Sequence, residues 1–314
     1  MEPLVSILIP LYNAERWIEE TLRSALGQTW SNTEIIVVDD GSTDNSLKIA
    51  RSFQSQGVTL LTQDNRGACT ARNRAFTASN GELIQYLDAD DLMAPDKIEI
   101  QVRRLCEEPP RSIANARWHP FETEVDEAPQ ASSSEDCEDP LEWLLAWTRG
   151  DGGTRPHAWL TPRSVIRDAG PWREDLRVNQ DGEFFSRVLL ESQKIAFCPD
   201  ARVFYRTGND GVSARQDRAS WESLYETIDL MTKRILEEKE IPRTQRACAT
   251  KWRHFQYNAY PSHPDLANAA EEKVADLGIS DYTHGSTLYQ ATEKLLGWKA
   301  ARWLQYGYRR IVYG

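Results

Sequence analysis

The sequence predicts an α/β fold: a largely parallel sheet covered by helices on both faces, with a helical extension at the C-terminal end. Three observations lead there. Short runs of Val, Ile and Leu alternate with amphipathic stretches over the first hundred or so residues, as repeated strand-then-helix units do. Each of the main runs ends in a polar cluster rather than trailing off, which is where a parallel sheet places its ligands. From Ser220 onward, Leu224, Ile228, Leu230, Met231 and Ile235 recur at helical spacing.

Taken in order, Leu4–Ile9 reads as a buried strand stopped by Pro10. Asn13 offers an N-cap to a helix whose stripe is Trp17, Ile18, Leu22, Ala25 and Leu26, closed by Gly27. Glu34–Val38 is a second strand and runs into Asp39 and Asp40; Leu47, Ile49, Ala50 and Phe53 mark the next helix. Val58–Leu61 is a third strand. From Asn65 a glycine-containing turn leads into a helix that carries Arg66, Arg72 and Arg74. The stretch G-E-L-I-Q-Y-L-D-A-D-D, Gly81 to Asp91, is then an apolar strand ending in three carboxylates. Asp88, Asp90 and Asp91 cannot be buried unpaired without several kcal/mol each, roughly. A divalent cation would satisfy them, since Mg²⁺ and Mn²⁺ prefer hard oxygen ligands and few protein carboxylates. The alternative from local structure is that Asp90 or Asp91 caps the following helix.

Composition narrows the function. A net charge of −11 and an isoelectric point near 5.1 argue against nucleic acid as a general partner. Cys69, Cys106, Cys137, Cys198 and Cys248 are scattered without C-x-x-C pairing, so neither a disulfide framework nor a structural zinc site is expected, and a reducing cytoplasm suits the chain. There is no basic leader and no apolar run of the roughly 20 residues a spanning helix needs. Neither G-x-G-x-x-G after the first strand nor G-x-x-x-x-G-K-[ST] occurs, which weighs against dinucleotide oxidoreductases and P-loop enzymes. In a parallel sheet, Tyr12-Asn13, Asp39-Asp40 and Asp88-Ala89-Asp90 share one edge. Carboxylates there can accept from a nucleobase N–H or from ribose hydroxyls while a metal holds a diphosphate.

Four blocks, in order, carry a family resemblance: S-I-L-I-P-L-Y-N-A (Ser6–Ala14), I-I-V-V-D-D-G-S-T-D (Ile35–Asp44), N-R-G-A-C-T-A-R-N (Asn65–Asn73) and Q-Y-L-D-A-D-D (Gln85–Asp91). Together they resemble the family-two inverting glycosyltransferases with the GT-A fold, a Rossmann-like, mixed and mostly parallel sheet. The resemblance implies a nucleotide-diphospho-sugar donor, a UDP-sugar above others, and Mn²⁺ or Mg²⁺ held by a D-x-D motif. It implies that Asp90 is the metal ligand and that Asp88 shares the metal or faces the ribose. Asp39 or Asp40 would contact base or ribose, Pro10 and Tyr12 would line that pocket, and Arg72 would lie near the nucleotide. For Asp39 and Asp40 a turn-forming role before Gly41 stays open, as does a surface-cation role for Arg72.

Further on, Pro95–Cys106 reads as a helix and Ile113–Phe121 as a strand. Residues 122–139 are rich in Glu, Asp and Ser and read as a solvated loop, either an acceptor-side lid or a surface insertion. Leu141–Trp147 looks helical. The stretch from His157 to Trp172 and the following N-Q-D-G-E-F-F-S-R-V-L-L resemble the family's acceptor-side block, with Trp159 a candidate substrate contact. The acidic residue opening the second helix is the family's general base, and Asp181 is the matching position. Inversion at an anomeric carbon needs such a carboxylate within about 3 Å of the acceptor hydroxyl. Asp181 would equally serve as an N-cap, where the helix dipole lowers its pKa, and Glu183 is the reserve base. Arg202–Arg206 reads as a last strand.

Arg215 and Arg218 stand within reach of a diphosphate or are plain surface cations. Where processive relatives carry Q-x-x-R-W and transmembrane helices, this chain reads R-Q-D-R-A-S-W, which points to addition of a single sugar. The expected division is a transferase domain over 1–215, with a nucleotide-sugar half over 1–106 and an acceptor half over 107–215, then a helical region over 216–314. Leu295–Tyr313 mixes Trp and Tyr with Lys and Arg and would either lie in a membrane interface, making the protein peripheral on the inner face, or pack on the core. The reading is a metal-dependent inverting transferase acting on a glycan or lipid-linked acceptor. The alternative is a binding module that keeps the fold without turnover, and the joint presence of Asp88, Asp90 and Asp181 speaks against it.

Overall fold

The computed structural model describes residues 2–123, 125, 135–149, 155–208, 217–279, 292 and 294–304. The chain forms two compact units. The first comprises Met1–Leu144, Gly152–Leu176 and Gln180–Gly211, and the second Leu145–Asp151, Arg177–Asn179 and Val212–Gly314.

The first unit is built on an eight-stranded sheet. Its strands are β1 (Val5–Leu11), β2 (Thr33–Asp39), β3 (Val58–Thr62), β4 (Leu83–Tyr86), β5 (Leu92–Met93), β6 (Ile113–Phe121), β7 (Trp159–Pro162) and β8 (Ile195–Arg206), in the order β3-β2-β1-β4-β7-β6-β8-β5. β3, β2, β1 and β4 are mutually parallel. β7 runs antiparallel between β4 and β6, β8 is parallel to β6, and β5 is antiparallel to β8. The sheet is therefore mixed and mostly parallel, with its helices α1 (Ile18–Leu26), α2 (Ser46–Ser52), α3 (Ala68–Ala78), α4 (Lys97–Cys106), α6 (Arg163–Ala169) and α7 (Gln180–Glu191) against it. The short α5 (Pro140–Thr148) follows β6 in the chain.

Residues of β1 are buried along its whole length, as a central parallel strand covered on both faces requires. Pro10 lies inside β1 rather than ending it. Because N–H groups alternate sides along a strand, and Leu8 accepts from Leu87 on the β4 side while Leu11 accepts from Asp40 on the β2 side, the missing Pro10 N–H falls on the β4 side. Pairing of β1 with β4 accordingly stops at Leu8↔Tyr86, while pairing with β2 continues to Leu11↔Asp39. β4 leaves the sheet just where its carboxylates begin. At the other end of that strand, a Cβ added to Gly81 would stand 2.4 Å from Ser6 Oγ and 2.6 Å from Ser6 N, so only glycine allows the approach.

Three short elements escape a sequence reading: the two-residue β5, the four-residue β7 and the seven-residue α6. Asn13 does not cap α1. It takes φ +48°, its side chain accepts from Thr43 N at 2.8 Å, and its own N–H donates to Ser42 Oγ, so it ties the loop after β1 to the loop after β2.

The second unit is helical, with α8 (Arg218–Glu238), α9 (Pro242–Ala259) and α10 (Pro264–Asp276). Ile228, Ala249, Trp252, Phe255, Ala259, Ala267, Ala270 and Val274 form its core. Asp217 caps α8 through Ser220 N at 2.9 Å. No helix among the described residues is long and apolar enough to cross a membrane.

Candidate active site

The site gathers at the carboxyl ends of β1, β2 and β4, with the start of α7 as its fourth wall. Pro10 is buried in β1 and Tyr12, just past its end, is about half exposed.

At the end of β2 both carboxylates are buried, and they are used differently. Asp40 accepts from Gln63 Nε2 at 2.7 Å, Arg66 N at 2.9 Å and Gly67 N at 2.7 Å. Its oxygens are occupied in fixing the turn that starts α3, so among the two it is Asp39 that has capacity to spare. Asp39 Oδ2 accepts from Ser42 N at 3.2 Å, while its buried Oδ1 has no hydrogen-bond partner. An unsatisfied buried acceptor at a strand end is costly unless a ligand N–H or O–H completes it.

The turn after β4 shows the same contrast. Asp91, 1% exposed, accepts from Arg206 N at 2.9 Å through Oδ1, and its Oδ2 lies 2.8 Å from His157 Nδ1. It caps no helix; Asp96 precedes α4 instead. Asp88 and Asp90 are half-buried and open toward solvent. The turn is held from three directions. The Thr21 hydroxyl of α1 lies 3.0 Å from both the Ala89 and Asp91 carbonyls, Arg206 Nε donates to the Asp90 carbonyl at 2.9 Å, and His157 stacks on Tyr205 behind it. Arg206 is itself buried, its guanidinium between the Trp17 and Phe121 rings and 2.7 Å from Glu20. Neither His157 nor Arg206 carries a sequence signal for this duty, except that Arg206 ends a strand.

Arg72 is not a surface cation. It is 7% exposed, lies over the Trp172 ring at 4.5 Å, pairs with Asp88 Oδ1 at 2.7 Å and donates to Gln180 Oε1 at 3.4 Å. One guanidinium thus joins the carboxylate turn of β4 to the first residue of α7. An aromatic cluster fixes the same junction: Trp172 stacks on Phe184 at 4.0 Å, and Tyr86 of β4 meets both rings edge-on.

Asp181 is the second residue of α7 and not its N-cap; Asn179, in a left-handed conformation with φ +53°, precedes the helix. Its pKa is raised above the usual carboxylate range, the reverse of the helix-dipole expectation. Burial is the main cause, opposed by Arg72, the Gly182 N–H and Arg155, and reinforced by the charge of Asp88. Glu183 is buried in a two-point pair with Arg187, 2.8 Å on each side, which removes it as a reserve base.

Trp159 is 1% exposed and packed against the Trp143 and Phe185 rings, at 5.3 and 5.7 Å. Arg215 lies outside the described residues, as does most of the 122–139 loop. Arg218 pairs with Asp265 and Glu222 on the helical unit.

Among the described residues, no group of three or more His, Cys, Asp or Glu side chains is arranged to hold a metal ion. Two half-buried carboxylates at one turn still fit a hard divalent cation, which fills most of its shell with water and phosphate oxygens.

The spare acceptor of Asp39 at the end of β2, the acidic turn after β4 and Asp181 on α7 lie at the carboxyl edge of the parallel strands, where such sheets place their ligands. The profile of the family described as glycosyl transferase family 2 matches residues 6–167, more than half of the chain, and the chain belongs to that family. The glycosyltransferase GlyG of Streptococcus pneumoniae serotype 4 is 27% identical over 244 residues, covering 75% of this chain and 80% of that one. The UDP-Glc:alpha-D-GlcNAc-diphosphoundecaprenol beta-1,3-glucosyltransferase WfgD of Escherichia coli is 41% identical over 100 residues, 32% of this chain and 40% of that one. Among solved structures, residues 1–349 of S. aureus TarS in complex with UDP-GlcNAc superpose with a TM-score of 0.74 at 20% identity, covering 98% of this chain and 91% of that one. The mannosyltransferase PcManGT of Pyrobaculum calidifontis, in complex with GDP-Man and Mn²⁺, gives 0.57 at 17% identity, covering 99% and 88%. These two establish the likeness of fold. The chain is a glycosyltransferase that takes its sugar from a nucleotide-diphospho-sugar.

Proposed function

We propose that this enzyme adds a single sugar, with inversion, from a UDP-sugar to a hydroxyl of a cell-surface glycan or lipid-linked saccharide. The observation that carries the reading is the bridge made by Arg72, which pairs with Asp88 in the acidic turn and donates to Gln180, the residue beside Asp181. Donor and acceptor chemistry thereby face each other across one guanidinium.

In this reading the Asp39 Oδ1 acceptor takes an N–H of the nucleobase or a ribose hydroxyl, with Tyr12 and Pro10 forming the wall beside it. Asp90, with Asp88, would hold Mn²⁺ or Mg²⁺, which supplies charge neutralisation to the departing diphosphate when bound. Asp181 accepts the proton of the acceptor hydroxyl as that oxygen bonds to the anomeric carbon. The bond from that carbon to the diphosphate breaks on the opposite face, and the nucleoside diphosphate leaves with the electron pair. Its raised pKa makes Asp181 a stronger base than an exposed aspartate, while Arg72, Arg155 and the Gly182 N–H favour the ionised form the reaction needs. UDP as the donor nucleotide is supported by the chemistry named for WfgD and for the TarS complex, and the lipid-linked acceptor by that of WfgD.

Asp181→Asn is the test. Transfer is expected to fall by about 10²–10⁴-fold, the usual worth of a general base, with UDP affinity nearly unchanged. Turnover like that of the unmodified enzyme would remove Asp181 from the mechanism. Mn²⁺-dependent thermal stabilisation by UDP-sugars and not by GDP-sugars checks the donor.

A further inference from the structure

Six large hydrophobic side chains are exposed among the described residues, and four of them fall within ten positions: Leu295 at 82%, Leu296 at 61%, Trp303 at 61% and Leu304 at 48%. They are not the loose end of an unfolded tail. The same segment is fastened to the helical unit by its other residues. Trp298 Nε1 donates to Glu271 at 2.7 Å and its ring meets Tyr260 edge-on at 5.2 Å. Arg302 Nε donates to the Tyr257 carbonyl at 2.8 Å with the guanidinium 3.9 Å from the Tyr257 ring, and Ala301 is buried. Lys299 pairs with Glu271 at 3.3 Å. Gly297, at φ +80°, turns the chain between Leu296 and Trp298, so that the two leucines and the Trp303-Leu304 pair are both left outward while Trp298, Ala301 and Arg302 face in.

An anchored element that presents Leu, Leu, Trp and Leu to water within ten positions points to a cover, because large apolar side chains are normally exposed singly on a protein surface. Charge says which cover. From Lys294 to the C-terminal glycine the sequence carries Lys294, Lys299, Arg302, Arg309 and Arg310 and not one Asp or Glu, in a chain whose net charge is −11. Lys299 and Arg302 are held by Glu271 and Tyr257, so the cations left to meet a partner are the exposed Lys294 and, further along the sequence, Arg309 and Arg310. Basic residues beside Leu and Trp match the interface of a bilayer rich in anionic headgroups, where Trp sits at headgroup level and basic side chains meet the negative surface potential.

We propose that residues 294–304 seat the protein on an anionic lipid bilayer through Leu295, Leu296, Trp303 and Leu304. The inference does not rest on the proposed reaction, since its readout is vesicle binding and not transfer.

The experiment is flotation of the full chain with vesicles of phosphatidylcholine alone and of an equimolar mixture with phosphatidylglycerol. Binding to the mixed vesicles is expected, weakened about 10-fold or more in their uncharged counterparts and by added salt. The variant Leu295→Gln/Leu296→Gln/Trp303→Gln/Leu304→Gln is expected to lose flotation by at least about 10-fold with an unchanged melting curve, because the replaced side chains are exposed. Lys294→Glu/Arg309→Glu/Arg310→Glu keeps the apolar patch and is expected to lose the preference for the anionic vesicles; it decides the matter if the first variant fails to fold. Equal flotation of the unmodified chain and either variant overturns the proposal. So does no flotation with the anionic vesicles, or a dimer in solution that disappears in the quadruple variant, which would make a second copy the cover.

Discussion

The ends of β2 and β4 each present adjacent carboxylates, and in each the neighbours have been assigned opposite work. Asp40 and Asp91 are turned inward and spent on the fold, the first on three donors from residues 63–67 and the second on Arg206 and His157. Asp39 Oδ1 is buried without a hydrogen-bond partner, and Asp90 is half-buried at the edge of its turn. The comparison teaches that an acidic doublet at a strand end need not be two ligands. One member is the brace that aims the other, and the brace is recognised by being buried and holding a backbone N–H from a neighbouring element: Arg66 and Gly67 on Asp40, Arg206 on Asp91.

Variants that exchange these roles would break the comparison. The largest effect is expected for Asp91→Ala, which strips His157 and the Arg206 N–H of a buried partner. A loss of about 3–5 kcal/mol in chemical denaturation is expected, as when one member of a buried pair is removed. Asp40→Ala leaves three donors without an acceptor and should cost about 2–3 kcal/mol by the same measurement. Asp39→Asn and Asp90→Asn should leave the denaturation midpoint nearly where it was. Calorimetric titration should instead show UDP binding weakened about 10-fold or more in Asp39→Asn, through loss of one hydrogen bond to a buried charged acceptor, and Mn²⁺ enhancement of binding lost in Asp90→Asn. Equal loss of stability in all four variants would dissolve the distinction.

The smallest effect concerns pH. An aspartate whose folded pKa lies above its unfolded value holds its proton more tightly when folded. Its ionisation therefore lowers stability as pH rises from the unfolded pKa through the folded one. Asp181→Asn is expected to raise Tm slightly at neutral pH and to flatten that decline, while the acid limb of kcat/KM in the unmodified enzyme lies above the ordinary aspartate range. A variant no more stable than the unmodified chain at neutral pH would contradict the burial of that charge.

Much of the frame was legible because buried parallel strands read as unbroken apolar runs. Ile113–Phe121 matches its strand residue for residue, the ends of β1 and β2 differ from the reading by one or two positions, and β4 occupies Leu83–Tyr86 within the Gly81–Asp91 stretch. What was not legible depends on partners distant in sequence. Arg72 reads like any helix cation until Trp172 and Gln180, a hundred residues on, close around it. Trp159 sits in a motif-like stretch, and nothing local distinguishes a ring packed against Trp143 and Phe185 from one facing a substrate. Asp181 looked like a cap because the chain before it offers no sign that Asn179 turns left-handed. Lys97, in α4, would be placed on a surface by type; it is fully buried, donates to Gln85, and its pKa is driven well below the usual lysine range by that burial.

Pro10 carries a consequence of its own. Two strands that share a sheet ordinarily zip to their ends. By withholding a single hydrogen, the proline acts as the stop on that zip, so the place where the acidic turn departs from β1 is set by which residue of β1 lacks an N–H.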